Sequence, residues 1–239
     1  MVTVNFNKLF IKSGDKILDI GCGAGRHTCV ASRLKKVTVI GSDISFKDVR
    51  EAQKRIKEEE QMGLQGGGFW ATLVSDITVL PFPDGFFDMV ICSEVLEHIP
   101  DQESAVKEIL RVLKTGGNLV VSVPRFLPEK ICWALSESYH TVPNGHIRIY
   151  RKKKLLNLLE GSGSKLWASH FAHSLHTPYW WLKCLVGPHR QDSSLVNLYH
   201  RFLVWDMMKK PKVTRFLDGL LNPFLGKSIV FYLRKETHV

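Results

Sequence analysis

The sequence lacks the features of a membrane-spanning or disulfide-bonded protein. Its longest apolar candidate, residues 178–187, is short and contains Lys183, whereas a membrane span needs about 18 apolar residues in a row. The five cysteines are odd in number, and no two have C-x-x-C spacing, which indicates neither a disulfide framework nor a zinc site. The first residues are too polar for a signal peptide. We therefore expect a cytoplasmic protein.

The chain also lacks internal repeats and low-complexity tracts. Its 239 residues, 44% of them hydrophobic, suit one core, so we expect a single domain over residues 1–239. Lys and Arg outnumber Asp and Glu, and the formal net charge is +10. Such an excess of positive charge attracts nucleic acid, anionic lipid headgroups or phosphorylated metabolites. An ordinary cation-rich surface explains the charge equally well.

Apolar runs alternate with helical periodicity along the chain. This alternation predicts right-handed strand–helix–strand units and a parallel sheet whose ligand site lies at the carboxyl ends of the strands. A T-G-G sequence, residues 115–117, is expected to separate the third helix from the fifth strand. The predicted strands are 16–20, 37–43, 69–74, 86–92, 118–124, 165–174 and 228–235. The predicted helices are 26–35, 45–62, 101–114 and 151–160, with Ser45 as an N-cap.

A glycine-rich turn follows the first strand in K-I-L-D-I-G-C-G-A-G-R-H-T, residues 16–28. It lacks the third glycine of the dinucleotide fingerprint, because Arg26 stands there, and no Walker loop is present. The spacing is instead acid-x-G-x-G-x-G. Glycine has no Cβ, so the backbone of such a turn can approach a ligand closely.

At this motif the sequence resembles the class I S-adenosylmethionine-dependent methyltransferases. It is more similar to their type 11 branch, which includes the ubiquinone and menaquinone biosynthesis enzymes. The resemblance covers about residues 16–122 and also rests on S-D-I-T-V-L-P-F-P-D-G-F-F-D, S-E-V-L-E-H-I-P-D and L-K-T-G-G-N-L-V-V-S-V-P. It implies an α/β, Rossmann-like, seven-stranded sheet, mostly parallel with the last strand antiparallel. Helices cover both faces, and a helical insertion separates the last two strands.

The resemblance also implies S-adenosyl-L-methionine as the cofactor, bound by residues 1–124, with the acceptor bound by residues 125–239. In the family pattern Asp19 holds the loop or receives the methionine ammonium. Asp43 receives the ribose hydroxyls, and Asp76 meets the adenine amine. The cofactor residues implied in this way are Asp19, Gly21, Cys22, Gly23, Gly25, Asp43, Ile44, Asp76, Ile77, Ser93, Glu94 and His98.

The segment S-E-V-L-E-H-I-P, residues 93–100, follows the fourth strand. Glu94, Glu97 and His98 could converge at the transferred methyl group. In the similar quinone O-methyltransferases a matching E-x-x-E-H group is associated with a divalent cation, and carboxylates with imidazole suit such an ion. The same letters occur in relatives where the group only lines the cofactor site. We expect no metal, and His98 as a cofactor contact or base.

A second polar cluster spans residues 138–150. In this fold the segment overlies the active site, so we expect an acceptor-binding wall with His140 or His146 as the base. Arg148 would then meet an anionic group. The alternative is a loop that polar contacts hold in place. The predicted catalytic residues are His98, His140, His146 and Tyr150, and the predicted acceptor residues are Tyr139, His140, His146, Arg148, Trp180 and Trp181.

About fifty residues separate the last two predicted strands, which is too long for a structureless loop. This insertion, about 175–226, contains three apolar or amphipathic helical segments with interleaved cations. Such a surface suits a lid over an apolar acceptor or peripheral contact with an anionic membrane. It equally suits a dimer face or an added helical layer, and the sequence leaves the oligomeric state open.

The expected activity is methyl transfer to a small, apolar or lipid-like acceptor, with oxygen slightly favoured over carbon. An RNA or protein methyltransferase is the enzymatic alternative, since the basic charge suits RNA. No N-P-P-Y tetrapeptide follows the fourth strand and no RNA-binding module is visible, so nucleic acid is not the expected partner. A cofactor-binding partner protein without catalysis is the other alternative.

Overall fold

The computed structural model describes residues 1–141, 145–188, 190 and 192–237. They form one seven-stranded sheet with the strand order β3-β2-β1-β4-β5-β7-β6. Strand β7 pairs antiparallel with β5 and β6, and the pairs from β3 to β5 are parallel. The predicted fold is therefore confirmed. The strands are β1 Lys16–Ile20, β2 Thr38–Asp43, β3 Trp70–Val74, β4 Phe87–Ser93, β5 Leu113–Pro124, β6 Ser164–Ala172 and β7 Ser228–Lys235.

Helices connect these strands, and three of them begin at side-chain caps that their sequences contain, namely Ser45, Asp101 and Ser193. Ser45 Oγ accepts a hydrogen bond from the backbone N–H of Asp48 at 3.2 Å, and Asp101 Oδ1 accepts one from Ser104 at 3.0 Å. The helices are α1 Arg26–Ser32, α2 Phe46–Gln61, α3 Gln102–Val112, α4 Phe126–Leu135, α5 Glu137–His140, α6 Lys152–Gly161, α7 Thr177–Val186, α8 Ser194–Lys209 and α9 Lys212–Leu225.

Both faces of the sheet are covered. Val121 of β5 belongs to a buried cluster with Ala105 of α3 and Leu155 of α6. Its neighbour Val120 points to the other face and packs in a cluster with Ala31 of α1. This alternation along the strand places the core in two layers. Successive strands are added in one direction from β1 to β3 and in the opposite direction from β4 onward. Ligands of open α/β sheets bind at such a switch point, which here lies between β1 and β4.

The structure corrects the sequence prediction around T-G-G. Strand β5 already begins at Leu113, so residues 115–117 lie inside it and do not separate it from α3. The pairing with β4 shifts register between Phe87 and Met89, and Gly116 has φ +74°. A bulged strand end can contain such glycines, because it tolerates a left-handed backbone.

The predicted insertion lies between β6 and β7 and consists of α7, α8 and α9. A short turn, Ser174–His176, precedes α7 and contacts α9. None of the helices within the described residues is both long enough and apolar enough to span a bilayer. Helix α4 and the short α5 follow β5, where no helix is predicted before residue 151.

Candidate active site

The glycine turn after β1 is closely packed against the segment that follows β4. Gly21 has φ +63°, and a Cβ placed there would lie 2.3 Å from Val95 Cγ2. Gly25 begins α1 with φ +77°, and a Cβ there would lie 3.0 Å from Ala52 Cβ. Side chains at these two positions would be strained and crowded. The turn therefore presents bare backbone at the carboxyl end of β1.

Asp19 lies below the turn and not in the cleft above it. Its carboxylate is buried and accepts a hydrogen bond of 2.6 Å from Thr28 Oγ1 in α1. Burial raises the pKa of Asp19 to about 7, although the Thr28 hydrogen bonds oppose this shift. Of the two roles expected for Asp19, this position favours holding the loop. Cys22 and Ser93 are also buried near the strand ends.

Asp43, at the end of β2, connects the turn to α2. Its Oδ2 accepts a hydrogen bond from Gly23 N at 2.9 Å, and its Oδ1 accepts one from Ser45 N at 2.9 Å. The carboxylate is thus fixed by two backbone donors, and each oxygen keeps a further lone pair for a ligand. This geometry suits the ribose role that the family pattern implies.

A cleft of about 1080 Å³ opens above these strand ends. No Lys or Arg lines it among the residues that the structure describes, and its charged lining is acidic. A cationic ligand such as a sulfonium with an ammonium group therefore fits it better than a polyanion. Nine predicted site residues line this cleft: Gly21, Asp43, Ile44, Asp76, Ile77, Glu94, His98, His140 and His146.

The segment after β4 forms the cleft floor. Glu94 has φ +58°, and its Oε1 accepts a hydrogen bond from Ser122 Oγ at 2.9 Å. Ser93 Oγ lies 2.7 Å from the same hydroxyl. Glu97 is buried without a side-chain hydrogen bond among the described residues. Burial, reinforced by the charge of Glu94, raises the pKa of Glu97 well above its ordinary value.

A histidine–carboxylate pair, with the carboxylate buried and the histidine partly buried, lies beside this floor. His146 Nδ1 is 2.6 Å from Glu129 Oε1, and the His98 ring is 4.9 Å from the His146 ring. Burial alone would raise the pKa of Glu129, but the His146 hydrogen bond and nearby positive charges hold it below its ordinary value. Because a carboxylate only accepts, Nδ1 of His146 carries the proton of this hydrogen bond, which leaves Nε2 directed away from Glu129.

A second pocket of about 360 Å³ lies between α4, α5 and α7, and it shares His98, His140 and His146 with the cleft. Tyr139, His140, His146 and Trp180, which are predicted acceptor residues, line it. His140 stacks on Trp133 with 4.5 Å between ring centroids. Residues 142–144 of the predicted wall lie outside the described part of the chain.

Three of the residues predicted for catalysis or acceptor binding do not reach these pockets. The Tyr150 hydroxyl is buried and lies 2.5 Å from Gln102 Oε1. Arg148 donates hydrogen bonds to Gln102 and to the Pro100 carbonyl. Trp181 Nε1 donates to the Pro128 carbonyl at 3.1 Å. In this part of the segment, the alternative of a loop held by polar contacts describes the structure better than the acceptor wall does.

Sequence reasoning missed Glu129. It lies in the first turn of α4 and is almost completely buried. Its Oε1 accepts a hydrogen bond from Trp133 Nε1 at 3.3 Å. The only local signal is an acid within the apolar run F-L-P-E-K-I-C-W, residues 126–133. Buried carboxylates are rare unless they are paired, but the partner, His146, is seventeen residues away.

Three potential metal ligands also meet at this point. One atom each from Glu97, His98 and His146 lies within 4.8 Å of the others. Carboxylate and imidazole groups at this separation can hold a divalent ion, and Glu129 would orient His146 from behind. The expectation that the protein uses no metal stays a prediction.

Comparisons with known proteins agree with this geometry. The family model described as a methyltransferase domain, type 11, matches residues 18–121. Methyltransferase GfsG of Streptomyces halstedii is 30% identical over 164 residues, which are 65% of this chain and 57% of that protein. The ubiquinone/menaquinone biosynthesis C-methyltransferase UbiE of Pasteurella multocida (strain Pm70) is 32% identical over 111 residues, 46% of this chain and 40% of that protein. The chain thus spans about half the length of these curated relatives.

The fold has close counterparts among solved structures. A SAM-dependent methyltransferase structure from Methanosarcina mazei matches with a TM-score of 0.62 over 100% of both chains, at 16% identity. At this identity the likeness concerns the fold alone. The matched region, residues 18–121, contains the glycine turn, Asp43, Asp76 and the segment after β4. Over residues 18–121, the chain is therefore similar to the class I S-adenosylmethionine-dependent methyltransferases of the type 11 branch.

Proposed function

We propose that the protein transfers a methyl group from S-adenosyl-L-methionine to a small apolar or lipid-like acceptor, at oxygen in preference to carbon. The main support is that an acidic cleft and an aromatic pocket lie side by side and share His146, which Glu129 holds through Nδ1. A relative named for quinone biosynthesis also supports a small-molecule acceptor. A cleft without lining Lys or Arg among the described residues is a poor match for RNA.

The cleft residues fit the cofactor by charge and by shape. Bound S-adenosyl-L-methionine supplies a methyl group that its sulfonium charge already activates. In the proposal Asp43 accepts the ribose hydroxyls, Asp76 accepts from the adenine amine, and the bare backbone at Gly21 leaves room for the methionine end. Asp43 is already fixed by two backbone N–H groups, so little ordering is needed when the cofactor binds.

His146 is the proposed base. Its Nε2 would take the proton of an acceptor hydroxyl while Glu129 holds the ring through Nδ1 and stabilises the imidazolium that forms. Glu129 is then a positioning residue. One imidazole suffices for a hydroxyl proton, which is why we favour oxygen over carbon. A positioned base typically contributes 10²- to 10⁴-fold in rate.

The acceptor class is tested by methyl-labelled cofactor incubated with lipid, RNA and protein fractions of the source cell. We expect label in the lipid fraction. Label in RNA or protein alone would show that the acceptor is macromolecular, and cofactor binding without transfer to any fraction would indicate a non-catalytic partner protein.

Two variants test the site separately. Asp43→Ala should weaken cofactor binding roughly ten- to hundredfold in calorimetry, because a charge-assisted hydrogen bond is worth about 1.5–3 kcal/mol. His146→Ala should leave that affinity unchanged and lower the rate about 10²- to 10⁴-fold. His200→Ala, an exposed histidine of α8, is the matched control. A His146→Ala enzyme with an unchanged rate would remove His146 as the base.

A further inference from the structure

Helix α9 packs against the protein through its polar side. Asp218 Oδ1 accepts a hydrogen bond of 2.8 Å from Ser174 Oγ, and Asn222 Oδ1 accepts one of 3.0 Å from Ser174 N. Thr214, one turn earlier, is buried. These three positions are spaced four residues apart, so they share one face of the helix. The inner face of α9 therefore carries hydrogen-bonding side chains, beside the half-buried Leu221 and Leu225.

The opposite side of α9, which we call its outer face, is apolar and exposed. Phe216 is 70% exposed and Phe224 is 73% exposed. The five exposed apolar residues of α9 are spaced with the 3.6-residue period of a helix, so they form one continuous stripe. In a folded protein this stripe normally faces the core. The outer face consists of Val213, Phe216, Leu217, Leu220 and Phe224.

Exposed apolar residues are concentrated around this helix. Twelve of the 26 exposed large apolar side chains of the described residues lie in α8 and α9. Helix α8 contributes Leu195, Leu198, Trp205 and Met208 among them. Exposed apolar residues scattered singly over a surface need no explanation, whereas a concentration of this kind marks an interaction surface.

The charges beside the outer face are positive. Lys209, Lys210 and Lys212 are exposed and lie directly before or at the start of α9. The two acids of this region, Asp206 and Asp218, are bonded inward to Arg215 and Ser174. Among the described residues of α8 and α9, no acid is left to oppose an anionic partner.

A cleft of about 570 Å³ lies beside the end of α8 and the inner side of α9. Its lining has more cations, among them Arg26, Arg55 and Lys210, than acids, which are Glu59, Asp206 and Asp218. Within the described part of the chain, these three cations form no salt bridge. A second copy of the chain would present the same cations to this region, and like charges disfavour such a pairing.

We propose that α9 docks the protein on an anionic phospholipid bilayer, with its outer face inserted at the headgroup–acyl boundary. An interfacial helix needs a bulky apolar stripe and flanking Lys or Arg residues, and α9 has both. Cations near the surface gain from the negative potential of anionic lipid. The inner polar contacts keep α9 attached to the fold while its apolar stripe enters the membrane.

The test is flotation of the whole chain with vesicles made of equal parts phosphatidylcholine and phosphatidylglycerol. We expect the chain to bind these mixed vesicles and to bind pure phosphatidylcholine vesicles at least tenfold more weakly. Binding to the mixed vesicles should fall as salt is added. The double variant Phe216→Asp/Phe224→Asp should bind at least tenfold more weakly. The control is Phe10→Asp/Phe69→Asp, which adds the same charges at exposed phenylalanines outside the insertion and should bind as the parent does.

Equal losses in both double variants would overturn the proposal, because the effect would then be one of net charge alone. Equal binding to both vesicle types would also overturn it. A dimer in sedimentation equilibrium that only the Phe216/Phe224 variant loses would identify a second copy as the occupant. The vesicles contain no cofactor, so no methyl transfer takes place and these results do not depend on the proposed activity.

Discussion

Helices α3 and α9 are both amphipathic, but they place their apolar sides in opposite environments. In α3 the apolar residues, including Val106 and Ile109, are fully buried against the sheet. In α9 the five apolar residues of the outer face are exposed, while Thr214 and the hydrogen-bonded Asp218 face the protein. The comparison teaches that periodicity identifies a helix with one apolar face, but not what covers that face.

The largest effect in this comparison is expected in α3. Ile109→Ala should lower the free energy of unfolding by about 2–5 kcal/mol, because it leaves a cavity at a fully buried position. Chemical denaturation measures this loss. Lys107→Ala, on the exposed side of the same helix, is the control and should change stability little. A small loss for Ile109→Ala would mean that α3 is not part of the core.

Acid should weaken the contact of α9 with the fold. Burial lowers the pKa of His176, in the turn before α7, to about 4. The unfolded chain takes up this proton below pH 6.5, whereas the folded chain does so only near pH 4. Stability that is complete above pH 6.5 is therefore lost as the pH falls toward 4.

Denaturation at two pH values measures this contribution. Between pH 7 and pH 5 we expect the parent to lose about 2 kcal/mol more than His176→Gln does. Histidines away from this turn contribute equally to both proteins, so the difference reports His176 together with His173, whose ring centroid is 5.8 Å from that of His176. Identical losses would show that His176 is not buried in its neutral form.

The inner face of α9 should contribute more to stability than its outer face. Asp218→Ala removes the acceptor of Ser174 Oγ and of the Leu175 N–H. We expect a loss of about 1–2 kcal/mol in the free energy of unfolding, since hydrogen bonds to a partly exposed charge are involved. Asp218→Asn keeps one acceptor oxygen and should recover part of the loss. No loss in Asp218→Ala would contradict the polar attachment of α9.

The smallest effect is expected on the outer face. Leu220→Ala should change the free energy of unfolding by no more than about 0.5 kcal/mol, because Leu220 is 58% exposed. Its contrast with Ile109→Ala, measured in the same denaturant series, is the direct test of the comparison. A loss above about 2 kcal/mol would mean that the outer face is packed within the protein.

Much of the fold could be predicted because its signals are local. The strands β1 and β7 have the predicted bounds, and Ser45 caps α2 as expected. The T-G-G segment was misplaced because glycine signals a break equally well at a helix end and in a bulged strand. Helix α4 was missed, since its run of apolar residues with two charges has little helical periodicity.

The site could be predicted only where a family motif runs through it. Gly21, Asp43 and Asp76 follow their strands directly, and parallel strands place their carboxyl ends at one edge. Glu129 and His146 come together only because α4 and residue 146 lie over the same strand ends. Tyr150 and Arg148 belong to the predicted cluster but bond to Gln102. No local sequence pattern distinguishes a side chain that points to Gln102 from one that points into the cleft.

The sequence alone determined the alternation of strands and helices, the glycine turn and the amphipathic character of α9, because each depends on neighbours within a few residues. Only the tertiary structure decided that Glu129 holds His146, that the cleft is acidic in a basic protein, and that the apolar side of α9 faces outward. The physical reason is that pairing and burial depend on residues far apart in the chain, whose approach the folded sheet sets.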